Sequence, residues 1–484
     1  MFEGREADYI IIIVYLLAIV ILGIVAGGKQ KSAKEYFLGA EKIPWWIVCF
    51  SIVAAETSTL TFISIPGLAY LTNLNFLQLT FGYLLGRIIV AIFFLPAYYK
   101  GELKTAYTFL ENRFGGKVRS FASVVFLFTR TAADGVRLFA TAIPLYLLLD
   151  INPVNAIIIM AVVSLLYTYV GGVKGIIWVD ALQMIIYIGG AILAIVFLSR
   201  MLPDGLIGSL KNQSAKLSVF NFGFDNGFAE FFSQPYTLFG GLIGGAFLSM
   251  ASHGTDQLIV QRLLAAGDFN KSRKALIGSG LVIIFQFALF LVLGVLLYSF
   301  YGPMDVKSDE IFPMFIINKL PVGVSGIIIA GLFAAAISTL AGSMSSLSSS
   351  TIHDLILPVK KIKPGEELKL KISRLVTIIW SVLLVFSALF FMNSSQTVVE
   401  LALSIASFTY GGMLGTFLLG FISKEANQKH ALIAFSSGIA GMIAVILLKL
   451  VAWTWFTPLG VVITLLAGFL SMKISAHKKV NQPG

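Results

Sequence analysis

The sequence predicts an all-α polytopic membrane protein with about thirteen transmembrane helices. Three observations carry that prediction. Of 484 residues, 57% are hydrophobic and only 12% are charged, half the ~25% charge of an ordinary soluble domain. Long apolar runs such as IIIIVYLLAIVILGIVAG and LVIIFQFALFLVLGVLLY recur along the chain. The basic residues also gather in alternate loops. This composition excludes a soluble enzyme, a nucleic-acid reader and a disordered chain. The formal charge of +11 does not point to nucleic acid, because the lysines and arginines follow membrane topology. A lone cysteine, Cys49, leaves no internal disulfide and no cysteine-ligated metal cluster. Four histidines without an HExxH motif argue against zinc.

Windows of about 19 residues place spans near 8–27, 44–70, 75–99, 120–148, 153–171, 175–199, 235–260, 275–300, 322–352, 375–393, 397–422, 430–448 and 452–472. The start, MFEGREADY, is acidic and lacks a small-residue cleavage site. It reads as the lead-in to a retained helix rather than a signal peptide. Assigning loops to alternate sides puts 25 of the 35 basic residues on one face, Arg262 among them, and seven on the other. The positive-inside rule then sets the amino terminus outside and the carboxyl terminus in the cytoplasm, in a plasma (bacterial inner) membrane. The largest external loop, about 200–234, has room for a short helix. The run VKKIKPGEELKLKISR reads as a solvated connector beside anionic lipid.

Ionisable side chains inside a bilayer cost ~2.5–3.5 kcal/mol on insertion scales and face a cavity or a partner. Arg87, Arg130, Asp134, Arg137, Asp180 and Glu56 are such residues, with Asp256 near a span's inner end. Arg130, Asp134 and Arg137 fall on one helical face, which suits an ion-pair ladder or, alternatively, contact with a charged solute. Glu56 lies in SIVAAETSTLTFISIPGLAY, where AETST interrupts an apolar helix. A break at mid-bilayer is tolerated only where it lines a cavity, and bare carbonyls with hydroxyls are hard ligands for an alkali cation. A second interruption is expected in FGGLIGGAFLSMASHGTDQ, around Ser252, His253 and Gly254, unless its glycines serve only close packing. In GLFAAAISTLAGSMSSLSSSTIHD, Ala335, Ser338, Thr339 and Gly342 share a face. The serines from Ser343 to Ser350 suggest a hydrated inner pathway.

Five segments together carry a family resemblance: YFLGAEKIPWW, GGVKGIIWVDALQ, TDQLIVQRLLAA, FAAAISTLAGSMSSLSSS and YGGMLGTFLLGF. In order and spacing the chain resembles the sodium:solute symporters, a family of bacterial proline and sialic-acid symporters and animal sodium–glucose cotransporters. The resemblance implies a LeuT-type fold of two inverted five-helix repeats. Its division of the chain is an extra helix and linker at 1–43, repeats at 44–200 and 235–423 flanking the loop 201–234, and two helices with a tail at 424–484. It implies a sodium ion held by the carbonyls of Ala54, Thr57 and Ala335 and the hydroxyls of Ser338 and Thr339. Asp180 matches an aspartate that holds a second sodium in some members. The accompanying serine positions are Ala341 and Gly342 here, so one coupling sodium is expected, with Asp180, Arg130, Asp134 and Arg137 in gating or structural roles. The arginine that clamps the carboxylate in sialic-acid members matches Ala133, and the sugar-stacking Tyr–Trp pair matches Ser252 and His253. Both departures disfavour those solutes. The solute site is expected around Glu56, Ser58, Thr61, Phe76, Thr80 and His253.

The implied activity is sodium-driven import of a small polar organic solute by alternating access, with the lipid bilayer as surroundings and no nucleic-acid or obligate protein partner. The rival is a proton-coupled carrier using Glu56 or Asp180. A membrane-embedded enzyme with His253 and Asp256 as an acid–base pair lacks any nucleophile motif or metal-ligand set. A sensor lacks an output domain.

Overall fold

The computed structural model describes residues 6–39, 43–57, 59–100, 103–149, 151–224, 227, 231–359, 365–392 and 398–480. Among them every regular element is a helix. The principal ones are α1 Glu6–Gly27, α2 Trp45–Glu56, α3 Thr59–Leu71, α4 Leu77–Lys100, α5 Gly116–Leu149, α6 Pro153–Met201, α7 at 240–254 and α8 Gln257–Ala265. They continue with α9 Phe269–Tyr301, α10 Ser308–Lys319, α11 Val324–Ile356, α12 Glu366–Phe391, α13 Val398–Ile422, α14 Gln428–Leu447 and α15 Phe456–Val480. A short helix, Gly205–Asn212, lies in the long loop before α7.

A helix lies over each predicted span. Among the described residues, eight are by themselves long and apolar enough to cross a bilayer, or nine if the bent pair α2–α3 is one span. Two predicted spans share α6, whose 49 residues would reach about 74 Å at 1.5 Å per residue. That is more than twice a ~30 Å hydrocarbon core. Gly172, at φ 56° and ψ −161°, divides it. Only glycine takes that conformation without strain, and a Cβ there would meet the Tyr36 carbonyl oxygen at 2.7 Å.

The packing places α11 at the centre, against α6 on one side and against α1, α2 and α5 on others. Helix α9 runs along both α2 and α3, bracing the bend between them, while α7 lies on α4. The start of α11 is capped from a distance. Asp8 of α1 accepts from the Gly323 amide at 2.6 Å, the Gly326 amide at 2.9 Å and the Ser325 hydroxyl at 2.7 Å. The first amides of a helix have no partner within it, so this buried carboxylate ties the first helix to the central one and opposes the dipole's positive end.

Candidate functional site

The site begins at the break. Helix α2 ends at Glu56, Thr57 is extended at φ −86° and ψ 109°, and the chain re-enters a helix with a bend of 66°. The Thr57 amide still donates to the Val53 carbonyl at 2.9 Å. Ala54, Ala55 and Glu56 follow in the last turn, where a helix has no donors of its own left to offer their carbonyls. The Thr57 hydroxyl is held by Gln286 of α9, whose Nε2 donates to it at 3.1 Å. Ser58 lies outside the described residues.

Facing this break, α11 packs on α2. Ala54, Ala335, Ser338 and Thr339 are all buried. Thr339 donates its hydroxyl to the Ala335 carbonyl at 3.0 Å, so two of the expected ligand oxygens already touch. Ser338 donates to Asp180 of α6. These oxygens are neutral and hard, the chemistry that suits a monovalent alkali ion.

Asp180 is fully buried among donors. Beyond Ser338, its Oδ2 accepts from Ser51 of α2 at 2.6 Å and from Arg262 of α8 at 3.2 Å (Nε) and 3.0 Å (Nη2). Arg262, expected as a cytoplasmic loop charge, is only 2% exposed. The charge-counting rule reads arginines near span ends as loop residues, whereas this one points inward to neutralise a carboxylate. Gly342 leaves it the space: a Cβ there would lie 2.5 Å from Arg262 Nη2.

Beside the break, Glu56 pairs with Arg87 of α4. His253 of α7 stands 3.6 Å from the same carboxylate oxygen and accepts from Arg87 Nε at 3.1 Å. On the other side of the ring, Nδ1 meets the Ser252 hydroxyl at 2.8 Å. The structure therefore joins Glu56 and His253 through Arg87. Thr61 lies half-buried in α3. Phe76 stacks on Phe287 with centroids 5.0 Å apart. Thr80 is turned into its own helix, donating to the Leu77 carbonyl at 2.8 Å and buried, so its hydroxyl is already engaged.

The α5 face carries a longer network. Arg130 pairs with Asp134, Arg137 Nη1 lies 3.3 Å from Asp134, and Arg130 Nη1 lies 3.3 Å from Asp256. Asp256 also caps α8 through the Leu258 amide at 2.9 Å and accepts from Tyr410 of α13 at 3.1 Å. Ser343 of α11 donates to Asp134.

Two expectations change. The break in the seventh predicted span falls at Thr255 and Asp256, and the helix runs through Ser252 and His253 to Gly254. Its glycines serve close packing, since a Cβ at Gly245 would lie 2.5 Å from the Leu79 carbonyl oxygen. The serines from Ser343 to Ser350 do not line a hydrated path in this conformation; they are buried. Their hydroxyls bond to protein: Ser348 to the Met344 carbonyl at 2.6 Å, Ser350 to Asp354 at 2.8 Å. Back-bonding within the helix satisfies hydroxyls without water.

Sequence reasoning singled out neither Gln286, Ser51 nor Tyr410, placed Arg262 in a loop, and read Arg87 only as a charge inside a span facing a cavity or a partner. Each acts through a partner on another helix, and only Arg87 carried a signal, as a charge at mid-span.

The model of the sodium:solute symporter family matches residues 36–467. The sodium/sialic acid symporter NanT of Aliivibrio fischeri is 29% identical over 476 residues, covering 96% of this chain and 92% of its own length. SiaT of Proteus mirabilis, also a sodium/sialic acid symporter, is 28% identical, covering 90% of this chain and 89% of its own. The solved substrate-bound, outward-open structure of a sodium-coupled sialic acid symporter superposes with a TM-score of 0.87 at 25% identity, over 97% of each chain.

Proposed function

We propose how this chain works on the premise that it belongs to the sodium:solute symporter family. It is a membrane protein and a sodium-coupled symporter of a small organic solute, with sodium as the coupling ion. The finer reading is a LeuT-type carrier, not an enzyme, of about thirteen spans and two inverted five-helix repeats. It sits in a plasma membrane with its amino terminus outside.

In this reading one sodium enters from outside and bridges α2 and α11 through Ala54, Thr57, Ala335, Ser338 and Thr339. The broken α2–α3 helix packed against α11 is the observation that carries it. Sodium favours the outward-open state, solute binds beside the breaks near Glu56, Thr61, Phe76 and His253, and the outer path closes. Sodium release inside lets the solute follow. One charge moving through 100 mV supplies ~2.3 kcal/mol, and a tenfold sodium gradient adds ~1.4 kcal/mol. Together they support accumulation of roughly 500-fold.

The pairing of both candidate proton carriers supports sodium over protons. Asp180 is engaged by Arg262, and Glu56 by Arg87. A proton would first have to displace an arginine from either carboxylate. The solute is a small polar organic molecule, and Ala133 continues to disfavour sialic acid.

Proteoliposome uptake under imposed sodium or pH gradients tests this, with solutes chosen by a thermal-shift screen with and without sodium. Uptake follows the sodium gradient and disappears in Ser338→Ala with Thr339→Ala. Uptake indifferent to sodium, and unchanged in that double variant, sinks the reading.

A further inference from the structure

The chain between α1 and α2 folds into a short helix, Ala33–Leu38. It is capped at both ends. The Ser32 hydroxyl accepts from the Glu35 amide at 3.1 Å, and the Gly39 amide donates to the Glu35 carbonyl at 2.9 Å. Glycines at positive φ flank it, Gly28 at 64° and Gly39 at 77°, so the piece can turn as a unit between them. Its Tyr36 and Phe37 are fully buried. The Tyr36 hydroxyl lies 3.2 Å from both the Thr168 carbonyl oxygen of α6 and the Thr377 hydroxyl of α12. The Phe37 ring stands edge-on to His353 near the carboxyl end of α11, with centroids 5.7 Å apart. With Ile352, Leu370 and Val376 the two rings form an apolar cluster separate from the main core.

What they cover is polar. Helix α8 packs on α11. Across that seam Gln261 Nε2 donates to the Ser345 hydroxyl at 3.0 Å and Gln257 Nε2 to the Ser349 hydroxyl at 3.5 Å. Gln261 Nε2 also donates to the Phe37 carbonyl at 2.7 Å, so one amide joins the short helix to the serine face. The four side chains of the seam are uncharged and buried. The next residue, Arg262, reaches Asp180, which holds the proposed sodium ligand Ser338. A sodium ion leaving toward the loops assigned to the cytoplasm thus meets hydroxyls and amides first and two aromatic rings last. Hydroxyls and amides exchange protein bonds for water at little cost, whereas packed rings keep water out until they move.

We propose that Tyr36 and Phe37 plug the sodium exit: the short helix swings out about Gly28 and Gly39, the α8–α11 seam fills with water, and sodium leaves past Ser345 and Ser349. This rests on the reading of the chain as a sodium-coupled importer. The serine run, dry in this conformation, is the wetted path of the inward-open one. Phe37 is a positioning residue for that step, because its carbonyl and its ring hold the seam shut without touching ion or solute.

The test uses the full-length protein with Cys49→Ala, which removes the one native thiol, and Ser345→Cys as a reporter in the seam. The rate at which N-ethylmaleimide alkylates the reporter follows the population in which the seam is open. In sodium buffer it is expected to react slowly, and Phe37→Ala to speed it about tenfold or more. Tyr36→Phe, which removes only the hydroxyl, should speed it about threefold. Ala434→Cys, buried in α14 between α13 and α15, monitors general loosening and should stay slow in every background. Monodisperse elution verifies that each variant folds. An unchanged Ser345→Cys rate in Phe37→Ala, or an equal rise at Ala434→Cys, overturns the proposal. Exchanging sodium for choline separates the two readings, since the reporter should then react faster in the parent. A Phe37 effect with no sodium response removes only the sodium reading, and a sodium response with no Phe37 effect removes only the plug.

Discussion

Helices α1 and α11 are both read as spans, and they invert the rule for soluble proteins. The apolar window of α1 has a mean hydropathy of 3.2 with 22% of it buried, whereas that of α11 has 2.1 with 88% buried. The greasier helix lies outside. Acyl chains solvate apolar side chains as well as a protein interior does, so hydrophobicity does not draw helices together in a bilayer. Packing and satisfied polar groups do, and α11 supplies both with its small residues and hydroxyls. Polarity inside a span therefore marks the centre of this molecule, where the sodium site is proposed.

The sharpest challenge to that contrast removes a central charge. Asp180→Asn leaves Arg262 without its buried partner and should cost ~3–5 kcal/mol, read as a large drop in unfolding midpoint in detergent. Adding Arg262→Gln should recover most of the loss. A small effect of the single variant would mean that the cluster is wet and the centre is not what burial indicates.

Next in size is overpacking. Gly342→Ala drives a methyl group into the Arg262 guanidinium, 2.5 Å from Nη2, and is expected to cost ~1–3 kcal/mol. Shortening that side chain with Arg262→Lys in the same background should relieve the clash.

Ser338→Ala is predicted to act on coupling more than on stability. It removes one hydrogen bond to Asp180, whose carboxylate keeps its bonds from Ser51 and Arg262. It also removes one of five proposed sodium oxygens, so thermal stabilisation by sodium over choline should vanish. Sodium stabilisation equal to the parent's would move the ion away from α11.

At the small end, Val25→Leu on α1, 72% exposed, should shift stability by no more than ~0.5 kcal/mol. A larger shift would show that this outer face packs against protein.

How much of this was legible follows from where each signal lives. The break at Thr57 was readable because AETST places a carboxylate and hydroxyls within one apolar helix. The arginines of α5 were readable as a face because i, i+4 and i+7 positions align on any helix. The fate of Thr80 was not readable, since a threonine in a helix chooses between its own backbone and a neighbour only when the neighbour is known. Arg262 was misread for the same reason.

The sequence alone determined which stretches are apolar enough to be helices and where polar residues interrupt them, because hydropathy and helix interruption are local properties. Tertiary structure decided which charges meet. Glu56 finds Arg87 and His253, Asp180 finds Arg262, and Asp8 caps a helix that begins more than 300 residues later. No local pattern encodes these partners, since a buried ion is neutralised by whatever opposite charge the packing of distant helices brings within about 4 Å.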